Sequence, residues 1–255
     1  MTNEIMKVTQ DESGLEYIEI DNDLAEAKIA LQGGHVVWWR PKSTAHDVLW
    51  LSTNARYEKG RSIRGGVPIC WPWFGQHPTD GSFCNHGFAR VIPWKLEDCV
   101  KLKNGAVKII LKMLPTEAAT KQLTYDYDLE LTIIVGHTLY LNLKTTNLSN
   151  NPFTIGEGYH TYFYISDIEN IKITGLENAV YTDKFDNFNR NIEKNAITFK
   201  GAFDRVYSNT SNDCYIEDEK FNRVITIKKS NSNSTVCLLY TSDAADEGLG
   251  VDLGG

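Results

Sequence analysis

Alternation of apolar and polar positions is clearest over residues 127–144: Leu129, Leu131 and Ile133 recur at every second position, Gly136-His137 interrupts, and Leu139, Leu141 and Leu143 resume the pattern. Successive strand side chains point to opposite faces, so this period predicts two half-buried strands joined as a hairpin, with Gly136 taking the positive φ of a type II′ turn. The same pattern predicts short strands over residues 15–20, 25–31, 36–40, 171–174, 197–200, 224–228 and 235–239. Helical periodicity is weak throughout. Many short strands separated by Gly, Asn, Asp and Ser turns predict an all-β, mostly antiparallel sandwich rather than alternating βα units. The Asn/Asp-rich residues 183–195 read as a long surface loop.

There is no repeat at a fixed period and no linker, which fits one domain over residues 1–241. Residues 242–255 break the composition. They hold four glycines and four acids (Asp243, Asp246, Glu247, Asp252) with no Lys, Arg or aromatic side chain, and contribute more than half of the net charge of −7. They read as an anomalous acidic tail foreign to the fold.

Overall acidity argues against nucleic acid as a partner, because neutralising phosphates needs a basic face. The five cysteines are irregularly spaced without a CxxC pair, which supports buried thiols in a reducing compartment and neither zinc nor disulfides. The polar, acidic N-terminus lacks a signal pattern, and no apolar run is long enough to span a bilayer. These features point to a cytoplasmic protein.

Four segments depart from the strand-and-turn pattern. Residues 61–75 combine Arg64-Gly65-Gly66-Val67-Pro68 with an aromatic stretch. Arg56, Lys59, Arg61 and Arg64 against Glu58 make this region a positive patch in an acidic chain. It suits an anion, or else is a solvated basic loop beside an aromatic core. Asn85-His86-Gly87-Phe88-Ala89-Arg90 follows. A guanidinium can grip a phosphate through two parallel N–H bonds, and an Asn or His can bond a sugar hydroxyl, although His86 taken alone reads more readily as structural. In Gly156-Glu157-Gly158-Tyr159-His160-Thr161-Tyr162-Phe163-Tyr164, alternation places His160, Tyr162 and Tyr164 on one face and turns Glu157 away from them. A histidine there can exchange a proton near neutral pH, and the rings can wall a sugar or simply fill a core. In Phe203-Asp204-Arg205-Val206-Tyr207, an acid in an apolar setting needs a partner, either a neighbouring cation such as Arg205 or ligand hydroxyls. His35, after Gly33-Gly34, reads as a turn histidine.

In this order and spacing, the segments resemble the aldose 1-epimerase (galactose mutarotase-like) superfamily, in its hexose-6-phosphate mutarotase branch, the glucose-6-phosphate 1-epimerases. The likeness runs from about Glu16 to about Val236. It implies a β-supersandwich, no cofactor or metal, and a monomer acting on a small hexose 6-phosphate in a groove on one sheet face. It further implies interconversion of α and β anomers by acid–base ring opening, with His160 as general acid. Arg64, Asn85, His86, Arg90 and Asp204 become substrate contacts, with the arginines on the phosphate and Asn85 standing where the branch commonly has Gln. The family base is a Glu on a late strand after a Trp-Asn-Pro-Trp-like segment. Here residues 235–240 run straight into the acidic tail, and nothing around Glu247 matches that base. Residues 240–247 resemble translated sequencing-adapter DNA, so the expectation is that the last native strands and the base are replaced and that this chain turns over poorly. The alternatives are a non-catalytic sugar-phosphate binder on the same scaffold and an epimerase of unphosphorylated hexoses. Retention of His160 speaks against the first, and the arginine pair speaks against the second.

Overall fold

The computed structural model describes residues 5–239 and the backbone of residues 248–254. In chain order the strands are β1 (Lys7–Gln10), β2 (Glu16–Asp21), β3 (Ala25–Ala30), β4 (His35–Pro41), β5 (Ile69–Cys70), β6 (Trp94–Lys101), β7 (Val107–Met113), β8 (Tyr127–Val135) and β9 (Leu139–Asn147). They continue as β10 (Gly158–Tyr164), β11 (Ile171–Thr174), β12 (Val180–Asp183), β13 (Asn189–Ile192), β14 (Phe203–Ser208), β15 (Cys214–Asp218), β16 (Arg223–Ile227), β17 (Ser234–Leu239) and β18 (Gly248–Gly254). One short helix, α1 (Glu117–Gln122), interrupts them, capped where the Thr116 side chain accepts from the Ala119 N–H.

Strands β1 to β4 and β6 to β9 form two four-stranded meanders. The second shows how the sequence dictates its pairing. Val107, Ile109, Leu111 and Met113 on β7 are buried, as are Leu129, Leu131, Ile133 and Val135 on β8. The register sets Ile109 opposite Ile133 and Leu111 opposite Leu131. A slip of one residue would turn both apolar rows outward, so the register is strongly specified. These rows join Ile18, Ile20, Ile29 and Trp94 in the main core.

A seven-stranded sheet runs in the order β13-β12-β14-β17-β18-β10-β5, and β11-β15-β16 form a smaller sheet. All named pairings are antiparallel. Residues 242–247 of the acidic tail lie outside the described residues, whereas Gly248–Gly254 pairs with both β10 and β17.

Several expectations need correction. The predicted hairpin forms, but Gly136 is not among the positive-φ glycines, and its N–H donates to the Thr138 carbonyl across a three-residue connection, Gly136 to Thr138. Space explains the glycine here: a Cβ would lie 3.0 Å from that of Ala106. Residues 197–200 make only an isolated bridge, Ile197 to Ile173, in place of a strand. The predicted loop 183–195 is a surface hairpin whose outer strand, β13, is fully exposed. His35 is no turn residue; it opens β4 and is wholly buried.

Candidate functional site

Strand β10 carries the centre of the site. Its edge beyond β18 is covered by two irregular loops: the His160 N–H donates to the Pro68 carbonyl (2.9 Å), the Tyr162 N–H to that of Gly66 (2.8 Å), and the Trp50 N–H to that of Tyr162 (3.0 Å). The prolines keep residues 61–75 from becoming a long strand, leaving β5 two residues long. The segment bearing Arg64 is thereby drawn alongside His160 from far away in sequence.

A second irregular segment arrives through Gly87. The N–H groups of Phe88 and Ala89 both donate to the Trp71 carbonyl (3.0 and 3.2 Å). Gly87 has φ +72°, and a Cβ there would sit 2.0 Å from the Trp71 oxygen. No side chain fits. Gly87→Ala is expected to lower unfolding stability by about 3 kcal/mol or more, measured by urea denaturation. Gly81→Ala, which meets nothing within 4 Å, should stay within about 0.5 kcal/mol of the parent.

The side chains meet in one contiguous group. The His160 ring stacks on Tyr162 (4.8 Å between centroids) and receives the edge of His86 (5.6 Å). Tyr162 lies 5.7 Å from Trp50, and the Arg64 guanidinium lies over Trp50 at 5.9 Å. Arg90 Nη2 donates to the Asn85 carbonyl (2.6 Å). Asn85 therefore positions Arg90 through its backbone, a role its side-chain identity does not announce.

Electrostatics tie Arg90 to both imidazoles. Burial pushes His160 down to about 4, aided by His86 and then Arg90. Burial, with Arg90 second, pushes His86 down to about 4 as well. Both rings are neutral at pH 7. The Gly75 N–H donates to His86 Nδ1 (3.2 Å), which leaves the His86 proton on Nε2. His160 Nδ1 is buried with no hydrogen-bond partner among the described residues.

Asp204 lies further along the same face. The register runs Tyr162 to Gly250, Gly250 to Leu238 and Leu238 to Asp204, and residues directly opposite in antiparallel strands share a face. Three strand spacings put Asp204 roughly 14 Å from Tyr162. Its side chain is 13% exposed and pairs with Lys184 at 3.2 Å. Of the two readings of Asp204, the ion pair is present, with Lys184 as the cation; adjacent strand residues point to opposite faces, and Arg205 bridges Asp183 and Glu193, each at 2.8 Å. Trp50 and Lys184 were not read from the sequence. Trp50 sits in an apolar Leu-Trp-Leu run, and Lys184 in a polar segment that resembles any surface loop.

The opposite face of β10 is a different environment. Tyr159, Thr161 and Phe163, with Leu141 and Ile225 from β9 and β16, line a cavity of about 660 Å³ that Arg64, Arg90 and His160 do not reach. Glu157 lines it too, turned away from His160 as alternation predicts, and burial raises its carboxyl. The backbone register sets Asp252 opposite His160. Among the described residues, no His, Cys, Asp and Glu cluster is arranged to hold a metal, and no helix is long and apolar enough to cross a membrane.

Known proteins can be set against this geometry. The family profile of aldose 1-epimerase matches residues 16–252, beginning where the sequence likeness begins and extending past Val236. A protein of Escherichia coli strain K12, named "Putative glucose-6-phosphate 1-epimerase", is 36% identical over 214 residues, covering 84% of this chain and 70% of the relative. A like-named Salmonella typhimurium protein aligns with the same identity and coverage. Among solved structures, a Salmonella typhimurium protein described as a "putative mutarotase" superposes with TM-score 0.88 at 30% identity, covering 98% of this chain and 85% of its own. A galactose mutarotase-like protein from Lactobacillus casei shares the fold at TM-score 0.74 and 17% identity, covering 93% of this chain and 87% of its own.

Proposed function

Since the chain belongs to the aldose 1-epimerase family, we propose that its scaffold binds a hexose 6-phosphate and serves interconversion of the α and β anomers. One observation carries the reading: the charge of Arg90 acts on both His86 and His160, and the ring contacts from His160 run through Tyr162 and Trp50 to the Arg64 guanidinium. An acidic protein that collects two guanidinium groups next to a proton-transfer residue is built for an anionic substrate. The names of the E. coli and Salmonella relatives support the same choice of sugar.

In this reading Arg64 and Arg90 hold the phosphate, the aromatic wall flanks the sugar ring, and Asn85, His86 and Asp204 contact its polar groups. Protonated His160 gives its proton to the ring oxygen while a carboxylate takes the proton from the anomeric hydroxyl. The bond between C1 and the ring oxygen breaks, leaving an open-chain aldehyde. Rotation about C1–C2 presents the other carbonyl face, and the same transfers in reverse close the ring.

His160 must be protonated to act as the acid, yet in the free protein it stays neutral down to about pH 4. Although burial is the larger cause of the depression, a phosphate on Arg90 acts in the direction the acid role requires. It cancels a charge that depresses the imidazole and adds one that favours the imidazolium, so substrate binding raises the His160 pKa. The test is an NMR titration of the His160 ring. Saturating glucose 6-phosphate is expected to move its midpoint upward by about one unit or more, while glucose leaves it nearly unchanged. An unmoved midpoint with the phosphorylated sugar bound would reject the reading.

A further inference from the structure

The turn between β3 and β4, together with the first residue of β4, touches both arginine-bearing segments through four consecutive residues. Gln32, 8% exposed, donates from Nε2 to the carbonyls of Glu58 (3.0 Å) and Arg61 (2.7 Å) and accepts from the Gly60 N–H (2.8 Å). All its side-chain capacity on that side goes into the basic segment just before Arg64. The Gly33 N–H donates to the Ile92 carbonyl (2.8 Å), and a Cβ on Gly33 would lie 2.6 Å from the Arg90 carbonyl oxygen. Gly34 packs against Trp94, where a Cβ would meet the indole at 3.1 Å. His35 Nε2 lies 2.7 Å from the Gly65 carbonyl, the residue after Arg64. A Cβ on Gly66 would in turn strike that Nε2 at 2.8 Å.

Burial keeps His35 neutral, with its pKa pushed down to about 4. A carbonyl can only accept, so the Nε2 must carry the proton and donate. The ring is wholly buried and its Nδ1 has no partner among the described residues, so this one bond orients it. None of Gln32, Gly33, Gly34 and His35 belongs to the site itself. Each ends on the backbone or a packed side chain of a segment that does.

We infer that residues 32–35 form a positioning clamp that fixes the separation of Arg64 and Arg90, and through it the preference for a phosphorylated over an unphosphorylated sugar. The inference rests on the hexose-phosphate reading. Two guanidinium groups on separate irregular loops grip one phosphate only if their spacing is held, and this turn is bonded to both loops at once. Its geometry also accounts for Gly33 and Gly66, whose absent side chains leave room for the contacts.

The experiment measures dissociation constants of glucose 6-phosphate and glucose by NMR titration for the full chain and for Gln32→Ala, His35→Ala and His35→Gln. Gln32→Ala and His35→Ala are expected to weaken glucose 6-phosphate binding about 10-fold, as befits loss of a buried hydrogen bond. Glucose binding should change by less than about 2-fold. His35→Gln, which can present an N–H to Gly65 on a chain of similar reach, should recover most of the preference; this outcome separates positioning from general packing. If Gln32→Ala and His35→Gln fold and both alanine variants lose the two sugars equally, or keep the parent preference, the clamp is overturned. A parent chain with no preference for the phosphorylated sugar removes the clamp together with the hexose-phosphate reading, a result distinct from failure of the variants alone.

Discussion

Arg90→Ala is expected to weaken hexose 6-phosphate binding by about 10- to 100-fold while changing free-hexose binding by less than about 2-fold, the range for losing a charge-assisted hydrogen bond to a phosphate. The guanidinium is half-exposed and tied by one bond to the Asn85 carbonyl, so removing it leaves no buried cation unpaired and the fold should stand. The change has a second signature. Arg90 is among the charges that depress His86 and His160, so its loss should raise both imidazoles in the free protein. Calorimetric titration with glucose 6-phosphate and NMR titration with glucose, read beside the imidazole midpoints, check both effects. Equal losses for the two sugars would remove Arg90 from the phosphate site.

Much of this site is legible in the chain because strand alternation is a local rule. The phase of His160, Tyr162 and Glu157 follows from position alone, and the structure stacks the first pair and turns Glu157 to the other face. The hairpin of β8 and β9 is equally local. What is not legible depends on groups distant in sequence. His35 beside Gly33-Gly34 has the composition of a turn, and only the Gly65 carbonyl arriving from thirty residues away makes it a buried donor. Asp204 next to Arg205 invites a pair in one dimension, but the pleat separates them and Lys184 from another element supplies the partner. Residues 197–200 have a strand-like pattern yet bridge at one residue only, since a pattern cannot say whether a neighbouring edge is available along its whole length.

The chain itself is expected to interconvert glucose 6-phosphate anomers at least about 100-fold more slowly than a chimera in which residues 238–255 are replaced by the corresponding C-terminal segment of the E. coli relative. A positioned general acid or base contributes about 10²–10⁴-fold, and the base is the one part of the chemistry that the motifs here do not provide. After Thr235-Val236-Cys237-Leu238 no Trp-Asn-Pro-Trp-like segment follows, and the surroundings of the one Glu there, Glu247, do not match the base that the family resemblance implies. His160, Arg64 and Arg90 remain in one group, so binding should survive where turnover does not, and two-dimensional NMR exchange at equilibrium reads the rate directly. The register adds a control, because Asp252 stands opposite His160 on the neighbouring strand. A fast parent chain that Asp252→Asn slows would make Asp252 the base and refute loss of the carboxylate, whereas a fast parent indifferent to that change would place the base elsewhere. A slow parent and a fast chimera locate the defect after Leu238 and leave the remainder of the site intact.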